Sequence, residues 1–144
     1  MEKQLKKSIQ VKTTVNTSLE KVWTAWNDLV GITRWYSGSP DWHTPWAVND
    51  FRTGGRFVYR MESKDGKTGF DFGGTYTKIN PMQEIRYTMD DGRKVIVEFS
   101  ASAGKATVSE TFEAEEINSI EKQRAGWQAI LDNFKNYTEK NAPS

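Results

Sequence analysis

The chain has no cysteine and a single histidine, His43, so disulfides, thiol nucleophiles and nearly all transition-metal sites drop out together. It lacks charge of one sign as well. Lysine plus arginine number 20 and aspartate plus glutamate 19, a net charge of +1 that leaves no basic stripe for nucleic acid and no acidic tail. No stretch approaches the roughly 20 apolar residues needed to span a bilayer. Met1 to Lys7 is charged and carries no apolar run of the signal-peptide kind, so a reducing, cytoplasmic setting is the expectation. With 144 residues, one domain over 1–144 with a substantial core is expected.

What the chain does have is an amphipathic stretch near its end. From Asn118 to about Lys140, Trp127, Ile130, Leu131, Phe134 and Tyr137 recur at spacings of three and four, which puts them on one stripe of a helix. Asn118 and Glu121 have the spacing of a capping box, which sets the expected start. Such a stripe needs a broad apolar surface to lie on, and the middle of the chain offers one.

Ile9, Val11, Thr13 and Val15 alternate with polar residues as a half-buried strand does. Thr17 or Ser18 then caps a helix carrying Leu19, Val22, Trp23 and Trp26, and a second short turn follows around Ile32 to Tyr36. From Ser37 to Thr53 no period is visible, and a long loop is expected, with Trp35, Trp42 and Trp46 in or beside it as a lid. Beyond Gly54-Gly55 the alternations resume in five further strands. Asp65-Gly66, Asn80-Pro81, Asp91-Gly92 and Gly104 separate them as short turns, so the pairing should be antiparallel. Gly73-Gly74 inside a strand reads as a bulge or bend that curls the sheet. The expected fold is α+β: a curved antiparallel sheet of about six strands around a long C-terminal helix, with two short helices after strand one.

The order of these elements, with Asn49-Asp50-Phe51-Arg52-x-Gly54-Gly55-Arg56-Phe57, Gly73-Gly74-Thr75-Tyr76, Asn80-Pro81 and Gly126-Trp127, resembles the activator-of-heat-shock-protein-ATPase homologues. These lie within the START/birch-pollen-allergen-like (SRPBCC) superfamily. The resemblance covers nearly the whole chain and implies the helix-grip fold, with a hydrophobic cavity between sheet and helix. It leaves function open, because superfamily members bind apolar ligands, cyclise polyketides or stimulate a chaperone.

Residues that would reach such a cavity are the aromatic side chains Phe57, Tyr59, Phe72, Tyr76, Tyr87 and Phe99, with Trp35, Trp42 and His43 above them. Tyrosine hydroxyls suit the part of polar anchors, and the alternative is that the rings simply fill the space. Glu110 falls on the same face as Val108 and Phe112. It either faces the cavity with its carboxyl desolvated, or curls outward or pairs with an arginine. Ser37, Asp41 and His43 are close in sequence but lack the separate segments and oxyanion hole of a triad, and Gly66-Lys67-Thr68 lacks the upstream glycine of a phosphate loop. No catalytic residue, metal or cofactor is assigned. The leading expectation is a binding protein for an apolar or aromatic small molecule; a chaperone-interacting or stress-response module, or a cyclase-like enzyme using Glu110, His43 or a tyrosine, are the alternatives. The chain is expected as a monomer or as a homodimer formed through a sheet edge.

Overall fold

Seven segments pair into one antiparallel sheet. The computed structural model describes residues 7–37 and 39–141, so of Met1 to Lys7 all but Lys7 lies outside the described residues. The elements run β1 (Ser8–Val15), α1 (Leu19–Trp26), α2 (Leu29–Trp35), β2 (Trp42–Asn49), β3 (Arg56–Ser63), β4 (Gly69–Asn80), β5 (Glu84–Met89), β6 (Lys94–Ser102), β7 (Lys105–Glu113) and α3 (Ile120–Asn141). Strands β2 to β7 form a meander, and β1 closes onto β7, giving the order β1-β7-β6-β5-β4-β3-β2. Because β1 and β2 stand at opposite edges, the α1–α2 segment has to carry the chain across the sheet. Helix α3 lies on the apolar face of that sheet.

The stripe expected of α3 is the one it buries. Leu131 and Phe134 are fully enclosed, and Trp127, Ile130 and Tyr137 pack half-buried beside them. Burying the first two alone contributes roughly 1.5–3 kcal/mol each. Trp127 stacks flat on Phe112 of β7 with ring centroids 3.8 Å apart, and the Phe134 ring meets Trp26 and Trp35 edge-on at 4.9 and 4.8 Å. The polar side of α3 covers the free edge of β1: Gln128 donates to the Lys12 carbonyl, Lys135 to the Thr14 carbonyl, and Glu139 accepts from the Asn16 N–H. An edge whose backbone groups are taken in this way is closed to another strand.

Three local expectations are corrected. The segment Ser37 to Thr53 is not one long loop, because Trp42–Asn49 forms the edge strand β2 against β3. Its register shifts between His43 and Trp46 and it contains Pro45, so the alternation that would announce a strand is broken at its centre. Trp42 and Trp46 therefore belong to the sheet and not to a lid. The cap of α3 is Ser119, whose hydroxyl accepts from the Lys122 N–H; Asn118 is held instead by the Glu115 carboxylate through its backbone and side-chain N–H groups. The Gly73-Gly74 pair permits close approach. A β-carbon at Gly74 would stand 2.7 Å from the Thr88 carbonyl oxygen, while the register shift itself lies between Tyr76 and Lys78.

Phe134→Ala removes a ring wedged between two tryptophans and should cost about 3–5 kcal/mol in denaturant unfolding. Ile117, 91% exposed, should tolerate serine within about 0.5 kcal/mol.

Candidate functional site

Alternation along β7 sends Val108, Glu110 and Phe112 to the concave face, and all three are buried. Glu110 is 3% exposed. Its partners across the ladder are Val11 on β1 and Val97 on β6, both buried, so the carboxyl has apolar neighbours on either side. No arginine reaches it. Among the described residues its side chain makes no hydrogen bond or ion pair, which overturns the reading of an outward-curling or arginine-paired glutamate.

Around this carboxyl stand four tyrosines. Tyr59, Tyr76 and Tyr87 arrive on β3, β4 and β5, and Tyr36 caps the end of α2. With Glu110 they enclose a void of about 20 Å³, room for about one water molecule. Trp26, Trp35, Phe57 and Ile85 complete the wall. The tyrosine hydroxyls are partly tied together: Tyr59 bonds to Tyr76, and Tyr76 donates to Asn49 Oδ1 at 2.8 Å. The indole N–H of Trp35, in the same wall, is buried without a partner. An orphaned buried polar group costs about 1–3 kcal/mol.

Burial sets the protonation of the cluster. Removal from water pushes the Glu110 carboxyl from its ordinary 4.5 up to about 8, so at neutral pH it is mostly uncharged and can donate a hydrogen bond. Burial likewise raises the phenols of Tyr36, Tyr59 and Tyr87, with the Glu110 carboxylate adding to the rise in each, and it raises Tyr76. The site is a neutral, donor-rich pocket floor.

A second, outer pocket of about 320 Å³ opens between α2, the start of β2 and α3. Tyr36 lines both spaces and separates them. Its backbone is pinned, since its N–H donates to the Ile32 carbonyl and its own carbonyl accepts from the buried Thr44 hydroxyl. Its ring is packed against Trp35, Tyr59 and Phe72.

The residues expected at the site are thus divided. Trp35, Phe57, Tyr59, Tyr76, Tyr87 and Glu110 meet at the inner void, whereas Trp42 and His43 line the outer pocket. Phe72 stacks on Tyr36 and touches Trp127 edge-on, a part of the surrounding packing. Phe99 lies against Trp23 and Trp26 and lines neither space, because β6 carries it toward α1. Sequence reasoning missed Tyr36 and the outer-pocket cations Arg34 and Lys64. Tyr36 follows directly on the apolar pattern of α2 and was open to notice; the two cations come from separate elements and carry no shared period. Among the described residues no group of three His, Cys, Asp or Glu could hold a metal ion, and no helix is long and apolar enough to cross a membrane.

A family model described as Activator of Hsp90 ATPase homolog 1-like protein matches residues 16–139. The solution structure of an AHSA1-like protein from Aeromonas hydrophila is 45% identical, covers 93% of each chain and superposes with a TM-score of 0.87. A solution structure from Cytophaga hutchinsonii is 46% identical over 93% of each chain, with a TM-score of 0.81. A crystal structure from Chromobacterium violaceum, 21% identical over 95% of this chain and 98% of its own, shares the fold with a TM-score of 0.80. No curated protein matches.

The raised Glu110 carboxyl makes stability depend on pH. Between about pH 4.5 and 8 the unfolded chain releases this proton and the folded chain keeps it, so the protonated carboxyl's contribution is whole below 4.5 and is lost as pH rises through 8. Wild type should lose up to about 1.4 kcal/mol per pH unit across that window relative to Glu110→Gln. Urea unfolding of both proteins at several pH values checks it; parallel profiles would contradict a buried, unpaired carboxyl.

Proposed function

Because this chain belongs to the family of Activator of Hsp90 ATPase homolog 1-like proteins, whose fold points to a ligand-binding or chaperone-associated role, we propose that it is a non-catalytic binding protein for a small apolar or aromatic molecule held between sheet and α3. The observation that carries this reading is the unpartnered Glu110 carboxyl in its ring of tyrosines. A carboxyl that merely filled the core would be replaced at lower cost by an apolar side chain, since nothing in the protein repays its desolvation. A ligand hydroxyl or carbonyl would. The void holds about one water in this form, so the ligand has to enter from the outer pocket past Tyr36, displacing rings instead of filling an open cavity.

A specific observation favours the chaperone-associated reading second. Trp46 and Val48 on the outward face of β2 are 46% and 53% exposed, beside an edge that no other strand covers among the described residues. Under that reading Trp46→Ser with Val48→Ser would abolish stimulation of an Hsp90-type ATPase while Glu110→Gln leaves it intact; the proposed reading expects no stimulation to lose.

Native mass spectrometry of the purified protein, compared with the denatured sample, should reveal a bound small molecule. Titration with fatty acids, flavonoids and polyketide-like aromatics should quench tryptophan emission saturably for one class, since Trp26 and Trp35 wall the inner void. Glu110→Gln should weaken that binding about tenfold, the loss of one hydrogen bond to a polar group. An empty protein indifferent to the whole panel would defeat the proposal.

A further inference from the structure

The outer pocket has a chemistry opposite to the inner void. Its lining contains Arg34 from the last turn of α2 and Lys64 from the β3–β4 turn, with His43 of β2 between the two elements in sequence. No aspartate or glutamate is among the lining residues. His43 is engaged from outside, its Nε2 standing 4.0 Å from Glu62 Oε1, and Glu62 is itself shared with Arg60. Arg34 and Lys64 make no side-chain hydrogen bond or ion pair among the described residues. Among the described residues Arg52, Arg56, Arg60, Arg86 and Arg93 each have a carboxylate partner, whereas Arg34 and Arg124 do not.

An arginine in the last turn of a helix complements the helix dipole, which would account for Arg34 alone. It does not account for Lys64. The turn that carries Lys64 is fixed in place, because the Lys64 N–H donates to the Asp41 carbonyl at 2.8 Å, so the side chain is presented at the pocket by a backbone contact. Across the pocket, Asn133 of α3 donates to the Ser37 carbonyl and lies within 3.4 Å of the Ser37 hydroxyl, fixing a polar wall. Trp42 and Pro40 supply the apolar one. Two unpaired cations, a hydroxyl wall and an aromatic ring around about 320 Å³ form the usual arrangement for an organic anion with an apolar body.

From this juxtaposition we infer that the outer pocket binds the oxyanion head of the ligand, a carboxylate or sulfonate-like group, through Arg34 and Lys64, with the ligand's apolar or aromatic body directed past Tyr36 toward the inner void. The inference rests on the binding-protein reading and names the class of ligand. The head stays outside and the body goes in. A charged head cannot exchange places with the body, since the inner floor offers no cation.

Two fluorescent probes with the same body test it: 8-anilinonaphthalene-1-sulfonate, which is anionic, and N-phenyl-1-naphthylamine, which is neutral. The wild type should bind the anionic probe about tenfold more tightly, with affinity falling as salt rises. In Arg34→Gln with Lys64→Gln the two affinities should become equal through loss on the anionic side alone. Both residues are exposed and unpaired, so the double variant should stay folded, its midpoint lowered by no more than the loss of the Arg34 contact with the helix dipole. Amide shifts on adding the anionic probe should centre on Ser37, His43 and Asn133. Equal affinities in the wild type, a preference that survives the double variant, or shifts centred elsewhere would overturn the inference while leaving a binding protein for neutral ligands. Failure of both probes to bind at millimolar concentration would remove the inference together with the reading it rests on.

Discussion

The seating of α3 in the concave face of the sheet is the constraint on which the remaining structure depends. An antiparallel sheet of seven strands with one apolar face has to cover that face, and α3 is the one helix of the described residues long enough to do so. The coverage is made by rings. Trp127 lies flat on Phe112, and Phe134 stands between Trp26 and Trp35, so the helix is locked to β7 at one point and to α1 and α2 at another. Both short helices are thereby fixed, and with them Tyr36 at the end of α2. The wall between the inner and outer spaces is a by-product of how α3 is held.

The same packing explains why the inner void is small. Phe57, Tyr59, Tyr76 and Tyr87 sit on neighbouring strands with centroids about 5–6.4 Å apart, the spacing at which aromatic rings pack against one another. Rings of that size close a curled sheet. What they do not do is satisfy Glu110, because the hydroxyl groups of Tyr59 and Tyr76 are directed to each other and to Asn49. Apolar packing and polar satisfaction therefore disagree at this void, and that disagreement is where function is to be sought.

Most of the fold could be read in the residues because it rests on strict periods. The α3 stripe repeats at three and four, and most of the strands alternate over much of their length, so each face is determined locally. β2 could not be read, since Pro45 and the shift between His43 and Trp46 fall in its middle and leave no run of alternation on either side. The start of α3 was misplaced by one residue for a tertiary reason: Glu115 takes Asn118, and the neighbouring Ser119 caps instead. The site divides along the same line. That Glu110 points inward follows from Val108 and Phe112 on either side of it. That it has no partner follows from which strands lie beside β7, which no local pattern contains. Arg34 and Lys64 illustrate the limit: they meet only because α2 and the β3–β4 turn converge on one pocket.

The two spaces impose an order on anything that enters. A buried carboxyl that is mostly neutral accepts and donates hydrogen bonds without a counter-charge, so it suits an uncharged polar group and is indifferent to long-range charge. Unpaired cations at the surface act in the opposite sense. They attract an anion over about a Debye length, roughly 8–10 Å, and hold it where water can still solvate it. A molecule with an anionic head and an apolar body would thus be captured by its head and sorted by its body, the first step governed by salt and the second by the opening of Tyr36. Reversing the molecule would desolvate its charge beside a carboxyl, for which the fold provides no compensation. Orientation then needs no precise fit to a closed cavity. The asymmetry between a cationic entrance and a neutral floor is sufficient, and it depends on Tyr36 keeping the two apart.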